Sequence, residues 1–288
     1  MKFKNFDIFW KESILFTLTQ ILGIFVVIRA SKILEVSEIE LQPISFLNFL
    51  IYFLIITLAI LLFLKISKKG SGILLQIFFI LAIFSGLDIF FSTFIKEPGA
   101  MILAVGLIAL RFMRPNVLLH NIVVIFGLAG VGGMLGLSFL PRDAIILLIF
   151  LSIYDVIAVY KTKHMVKMAK EMIKKRVVLG IIIPKKLSDI KSSMAVVEQS
   201  KIPVRKNLKP KETKQFMILG GGDLALPLLL IASVAKQDIW RGLIILIFAL
   251  LGLLVMNLIF VKLKNKPMPA LPPLALFSIL GYLISLLI

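Results

Sequence analysis

Cysteine is absent from the 288 residues, and histidine occurs only twice, at His120 and His164. The first absence excludes disulfides, thiol nucleophiles and cysteine-based metal sites. The scarcity of histidine leaves little room for zinc or for a Ser–His pair: no H-E-x-x-H occurs, and Ser138 and Ser152 lie in no nucleophile motif. Acidic residues are also few, 15 against 33 Lys and Arg, for a net charge of +18. In a soluble chain that excess would point to nucleic acid. Here the basic residues flank apolar runs, as topology determinants and contacts to anionic lipid headgroups do, so no nucleic-acid partner is expected.

What the chain has in abundance is apolar residues, at 60%, against roughly 45–50% in soluble domains. They form long runs without the polar/apolar alternation of a membrane barrel. The expectation is an all-α, polytopic transmembrane helix bundle. Nine spans are read, at about 13–28, 44–64, 72–95, 100–110, 117–140, 144–160, 216–234, 239–261 and 270–288. The fourth is short for a core of roughly 30 Å. The chain divides into a six-span bundle (1–160), a basic loop (161–215) and a three-span bundle (216–288). Within the loop, 161–176 reads as an amphipathic helix on the membrane surface, 177–183 as a short apolar run, and 187–215 as a flexible linker. No signal peptide is evident at the start.

Placing the N-terminus in the cytoplasm puts 27 of the 33 basic residues on the inner side, sixteen of them in 161–215. The positive-inside rule thus predicts a cell-membrane protein with a cytoplasmic N-terminus and loop and an extracellular C-terminus. His120 and His164 fall near the cytoplasmic boundary, where partial solvation is the expectation.

Only Asp88, Asp155 and Asp223 among the acidic residues fall well inside the apolar runs. A carboxylate in a spanning helix costs roughly 2.5–3.5 kcal/mol on insertion scales, so it marks a functional candidate. Asp155 lies six residues before Lys161 and Asp223 nine after Lys214, on antiparallel helices, so the two share a depth near the cytoplasmic face. Two carboxylates at one site share a proton. One can then take a proton from water while the other polarises a scissile carbonyl, hydrolysing an amide without metal or cofactor. Asp88 lies nearer the outer face and reads as a structural polar contact. Tyr154 could donate a hydrogen bond near the site. Gly220 and Gly222 suit a close backbone approach. Pro269, Ala270 and Leu271, followed by Pro272 and Pro273, keep the start of the last span irregular. Such a backbone could offer an edge to an extended substrate.

Tyr154-Asp155, Gly220-x-Gly222-Asp223 and Pro269-Ala270-Leu271, in that order on spans six, seven and nine, resemble the motifs of the presenilin and signal peptide peptidase family. The resemblance is strong over the C-terminal half and covers only span number and topology before it. It implies an intramembrane aspartyl protease that cuts transmembrane peptides or proteins. Asp155 and Asp223 would be the catalytic pair, Tyr154, Gly220 and Gly222 would support the site, and Pro269–Leu271 would shape a substrate groove. The short chain looks like a minimal archaeal presenilin homologue, for which obligate partner subunits are not expected and self-association stays open. Pro227 resembles the peptidase branch, and Pro272 the presenilin branch. Two other readings compete: an ion-coupled transporter or channel using membrane aspartates, and a non-catalytic scaffold that binds membrane helices.

Overall fold

A computed structural model describes residues 6–38, 42–66, 71–161, 178–201, 216–263 and 268–287. Ten α-helices occur among them: α1 (Phe6–Val36), α2 (Phe46–Ile66), α3 (Ser71–Ser92), α4 (Gly99–Met113), α5 (Val117–Ser138), α6 (Pro141–Val156), α7 (Met194–Lys201), α8 (Gly221–Ala235), α9 (Ile239–Lys262) and α10 (Leu271–Ser285). All but α7 are apolar and correspond to the nine expected spans. The amphipathic segment expected at 161–176 lies, but for Lys161, outside the described residues.

The burial pattern is that of a membrane protein. Ile102, Tyr52 and Ile247 are well exposed on the outside, whereas Glu12, Thr19, Gln20, His120 and Asn121 are buried. In water this would be inverted. Because lipid tails give apolar side chains no reason to leave them, helices here associate through close backbone packing. Helix α5 supplies most of it. A Cβ on Gly130 would collide with the Gly86 carbonyl of α3, one on Gly136 with Ala232 of α8, and one on Gly133 with the Gly23 carbonyl of α1.

Helix α8 lies at the centre, packed by α1, α5, α6, α9 and α10, and every residue from Pro227 to Ala235 is buried. It is only 15 residues long, as are α4 and α10, or about 22 Å at 1.5 Å per residue. The short α8 and α10 leave non-helical backbone at membrane depth, which is tolerated only against protein or a cavity.

Three details differ from the sequence expectation. The seventh span starts as a strand, β2 (Phe216–Gly220), antiparallel to β1 (Gly180–Pro184), with Gly180 opposite Gly220 and Ile182 opposite Ile218. The linker is structured in its first part: a 3₁₀ turn (Leu187–Lys191) leads to α7, and the backbone of 192–194 docks on the start of α5 through Val117 N–H to Ser192 O, 3.0 Å, and Met194 N–H to Pro115 O, 2.9 Å. His120 is fully buried rather than partly solvated, because β1 covers it.

Candidate active site

Asp155 lies in the last turn of α6, where the helix widens into a π-helical turn, Ile157–Lys161. Such turns insert a residue into the helical ladder and recur at functional sites. The side chain is 6% exposed. Its Oδ2 accepts the Leu271 N–H at 3.2 Å, and the Ala270 amide also donates to it. These are the first amides of α10, which lack helical acceptors and carry the positive end of its dipole. Pro272 and Pro273 fit here, since a helix start has donors to spare. Pro269 and Leu271 are buried and Ala270 partly so. The Pro-Ala-Leu segment is thus a backbone cradle for Asp155.

Asp223 is the third residue of α8, whose N-cap is Gly220. Its half-buried carboxylate reaches back to the Gly220 amide, the contact an acidic side chain makes in a capping box. A Cβ at Gly220 would sit 3.0 Å from Asp223 Oδ2, whereas one at Gly222 would meet nothing within 4 Å. The two glycines therefore differ: Gly220 leaves room for the carboxylate, and Gly222 opens onto free space. Gly220→Ala should lower kcat by at least about tenfold by displacing Asp223, since misplacements of 1 Å cost up to about 10²-fold. Gly222→Ala should leave the thermal midpoint unchanged, and any loss it shows should fall mainly in KM.

Asp223 lies close enough to Asp155 and to Glu12 to feel the charge of both. Glu12 lies outside the expected first span, but α1 begins at Phe6 and buries it completely. Its Oε2 accepts from Asn257 Nδ2 of α9 at 2.6 Å, and its Oε1 is buried without a partner. Eight residues on, Gln20 Nε2 donates to Leu224 O at 3.0 Å. Pro227 cannot donate within the helix and disturbs the turn before it, so Gln20 supports a carbonyl in that turn.

Other expected residues sit differently. The Tyr154 side chain is 52% exposed and points to the outer surface of α6 rather than to a carboxylate. Asp88, expected as a structural polar contact, has its Oδ1 buried without a hydrogen-bond partner among the described residues. Arg111, counted as a topology cation, is 5% exposed and lies over the Phe79 ring at 4.6 Å. Among the described residues no three His, Asp or Glu side chains converge as a metal site would need.

Residues 13–288 match the family model described as "Signal-peptide peptidase, presenilin aspartyl protease". Two solved structures, both of a presenilin family intramembrane aspartate protease, are similar to the chain. One, in a C222 space group, has a TM-score of 0.60 and 22% identity over 94% of both chains. The other, in a P2 space group, has a TM-score of 0.61 and 24% identity over 96% of both chains. No curated protein matches.

Proposed function

The chain belongs to the signal-peptide peptidase and presenilin family of aspartyl proteases, and from that premise we propose that Asp155 and Asp223 are its catalytic pair. It is an intramembrane aspartic endopeptidase. The observation that carries the assignment is the convergence of three helix ends. The C-terminal turn of α6 brings Asp155, the N-terminal turn of α8 brings Asp223, and the first amides of α10 hold Asp155 in place. One carboxylate takes a proton from water as it adds to the scissile carbonyl. The other, protonated, gives its proton to the carbonyl oxygen. As the C–N bond breaks, the first carboxyl passes the proton taken from water to the leaving amine, and the second takes its proton back from the gem-diol hydroxyl. Cleavage of a transmembrane peptide in proteoliposomes, lost in both Asp155→Asn and Asp223→Asn, tests this; an active Asp223→Asn enzyme would overturn it.

Substrates are transmembrane helices that unwind to enter as strands. On β1, the Ile182 N–H and C=O both bond the Asn121 side chain, so residue 182 faces away from β2. Its opposite number, Ile218, therefore faces away from β1. Among the described residues the Ile218 backbone meets no hydrogen-bond partner. An edge with free donors and acceptors takes an extended peptide by strand addition, and β2 runs straight into Asp223. Gly222 borders the open side of this path, and Pro269–Leu271 its far wall.

The site faces the cytoplasm, with the N-terminus and 161–215 inside and the C-terminus outside, and the protease works without obligate partner subunits in contact with membrane lipid. Because the chain has no cysteine, a single introduced thiol reports sidedness. Ser188→Cys, at an exposed position, should react with an impermeant maleimide only in inverted vesicles. Val36→Cys, at an 86% exposed residue at the other end of α1, should react only in intact cells. The opposite pattern reverses the orientation.

A further inference from the structure

Strand β1 has a second edge, and side chains occupy it. The Gly180 carbonyl lies 3.0 Å from His120 Nε2. Ile182 O accepts from Asn121 Nδ2 at 2.7 Å, and Ile182 N–H donates to Asn121 Oδ1 at 2.8 Å. Lys11 Nζ donates to Pro184 O at 3.3 Å and to Lys185 O at 2.8 Å. Residues 180, 182 and 184 are those facing away from β2, so the outward carbonyls of β1 are all engaged. The Asn121 carboxamide offers the donor and acceptor that a neighbouring strand residue would.

The His120 tautomer follows from its other neighbour. Arg111 Nε and Nη2 lie 3.4 and 3.3 Å from His120 Nδ1. A guanidinium only donates, so Nδ1 accepts, and Nε2 carries the hydrogen given to Gly180 O. His120 and Asn121 are 0% and 2% exposed. Apolar residues would pack this part of α5 at lower cost, since buried polar groups are tolerated only when paired. The Asn121 pairing is directed at β1, and His120 links β1 to Arg111 of α4.

We propose that Lys11, His120 and Asn121 act as a fixed false strand on β1, which makes them positioning residues that set where the substrate is cut. This rests on the strand-addition reading. Held on one side by the false strand, the β1–β2 hairpin cannot slide or fray, so a peptide added to β2 meets the aspartates in one register. Register in a sheet is loose wherever nothing pins it. A plain structural role would lower stability or the amount of active enzyme and leave the cut bond where it was.

The experiment is mass spectrometry of the products from one reconstituted transmembrane peptide, with KM, kcat and thermal midpoint measured alongside. Asn121→Leu keeps the volume and removes both bonds to Ile182. It should spread cleavage over neighbouring bonds and raise KM by at least about threefold, the loss expected from one or two hydrogen bonds. Lys11→Met removes both bonds to the 184 and 185 carbonyls and should broaden the cuts to a lesser degree. Lys11→Arg, which can still donate to both carbonyls, should restore the wild-type pattern. An unchanged cut pattern in Lys11→Met, or in Asn121→Leu where that variant folds, overturns the proposal. Failure of strand addition itself is distinguishable: Ile218→Pro would then keep wild-type cleavage whatever happens at residue 121.

Discussion

Asp155→Asn and Asp223→Asn should each lower turnover of a reconstituted transmembrane peptide by roughly 10³–10⁴-fold or more, since a positioned acid or base contributes about 10²–10⁴-fold. The substitution is nearly isosteric. In Asp155→Asn the new carboxamide would still offer a carbonyl oxygen to the Leu271 N–H, so the α6–α10 junction should persist and the thermal midpoint should move little. What is lost is the exchangeable proton. Because the two carboxyl groups act as one unit, the double variant should be no slower than the worse single one. Glu12 gives the sharpest control. It is the third buried carboxyl group in the same field, but its Oε2 is committed to Asn257 on α9. Glu12→Gln should therefore cost less than about tenfold. A Glu12→Gln enzyme as inactive as Asp223→Asn would move the pair from α6 and α8 to α1 and α8. Activity measured against protein recovered in the folded fraction separates these outcomes from loss of enzyme.

The aspartate pair was legible in the sequence because depth was legible. Long apolar runs fix where a helix enters and leaves the membrane, and a residue count from the flanking lysines then gives a carboxylate its level. The same method loses Glu12. Lys11, Glu12 and Ser13 interrupt the apolar pattern, so the first span reads as starting at Ser13, although α1 begins at Phe6. A polar trio at a helix end reads as solvated unless its partners are known, and those partners, Asn257 and the carbonyls of 184 and 185, lie far along the chain. An isolated Asn257 inside a strongly apolar span was the signal available for Glu12. Arg111 and His120 are misread for a related reason. Charge near a boundary reads as contact with headgroups or water, but β1 folds back over His120 from sixty residues downstream, and Arg111 is held at the His120 ring. The strand β2 was hidden by its own composition. Phe216–Leu219 is a short apolar run, which periodicity cannot assign to strand or helix. The three glycines after it marked a break without saying what preceded the break. Tyr154 shows the limit of adjacency: next to Asp155 in sequence, it points roughly 100° away around the helix and reaches the outer surface.

Ile218→Pro should lower kcat/KM by about 10–100-fold while leaving the protein folded, and Met217→Pro should do worse by breaking the hairpin. The two differ in which way the amide faces. Residue 218 lies opposite Ile182, whose own N–H and C=O turn to Asn121, so the residue 218 N–H points to the open edge. Proline there removes a donor that the protein itself does not use, and its ring stands where an added strand would approach. Residue 217 lies opposite Ile183 and alternates with 218, so its N–H belongs to the ladder with β1, and proline removes a bond that holds the hairpin together. Two backbone bonds to substrate are each worth about 0.5–1.5 kcal/mol net, and every 1.36 kcal/mol is about tenfold in rate, which gives the expected range. The loss at 218 should fall in KM as well as kcat, because an unpaired substrate both binds less and presents its scissile bond less often. A thermal midpoint close to wild type for Ile218→Pro, beside a lowered one for Met217→Pro, would establish that the first acts on the substrate and the second on the fold. Equal midpoints with equal activities would mean that β2 is not the edge that substrate uses, and the path to Asp223 would have to run along the Pro269–Leu271 side instead.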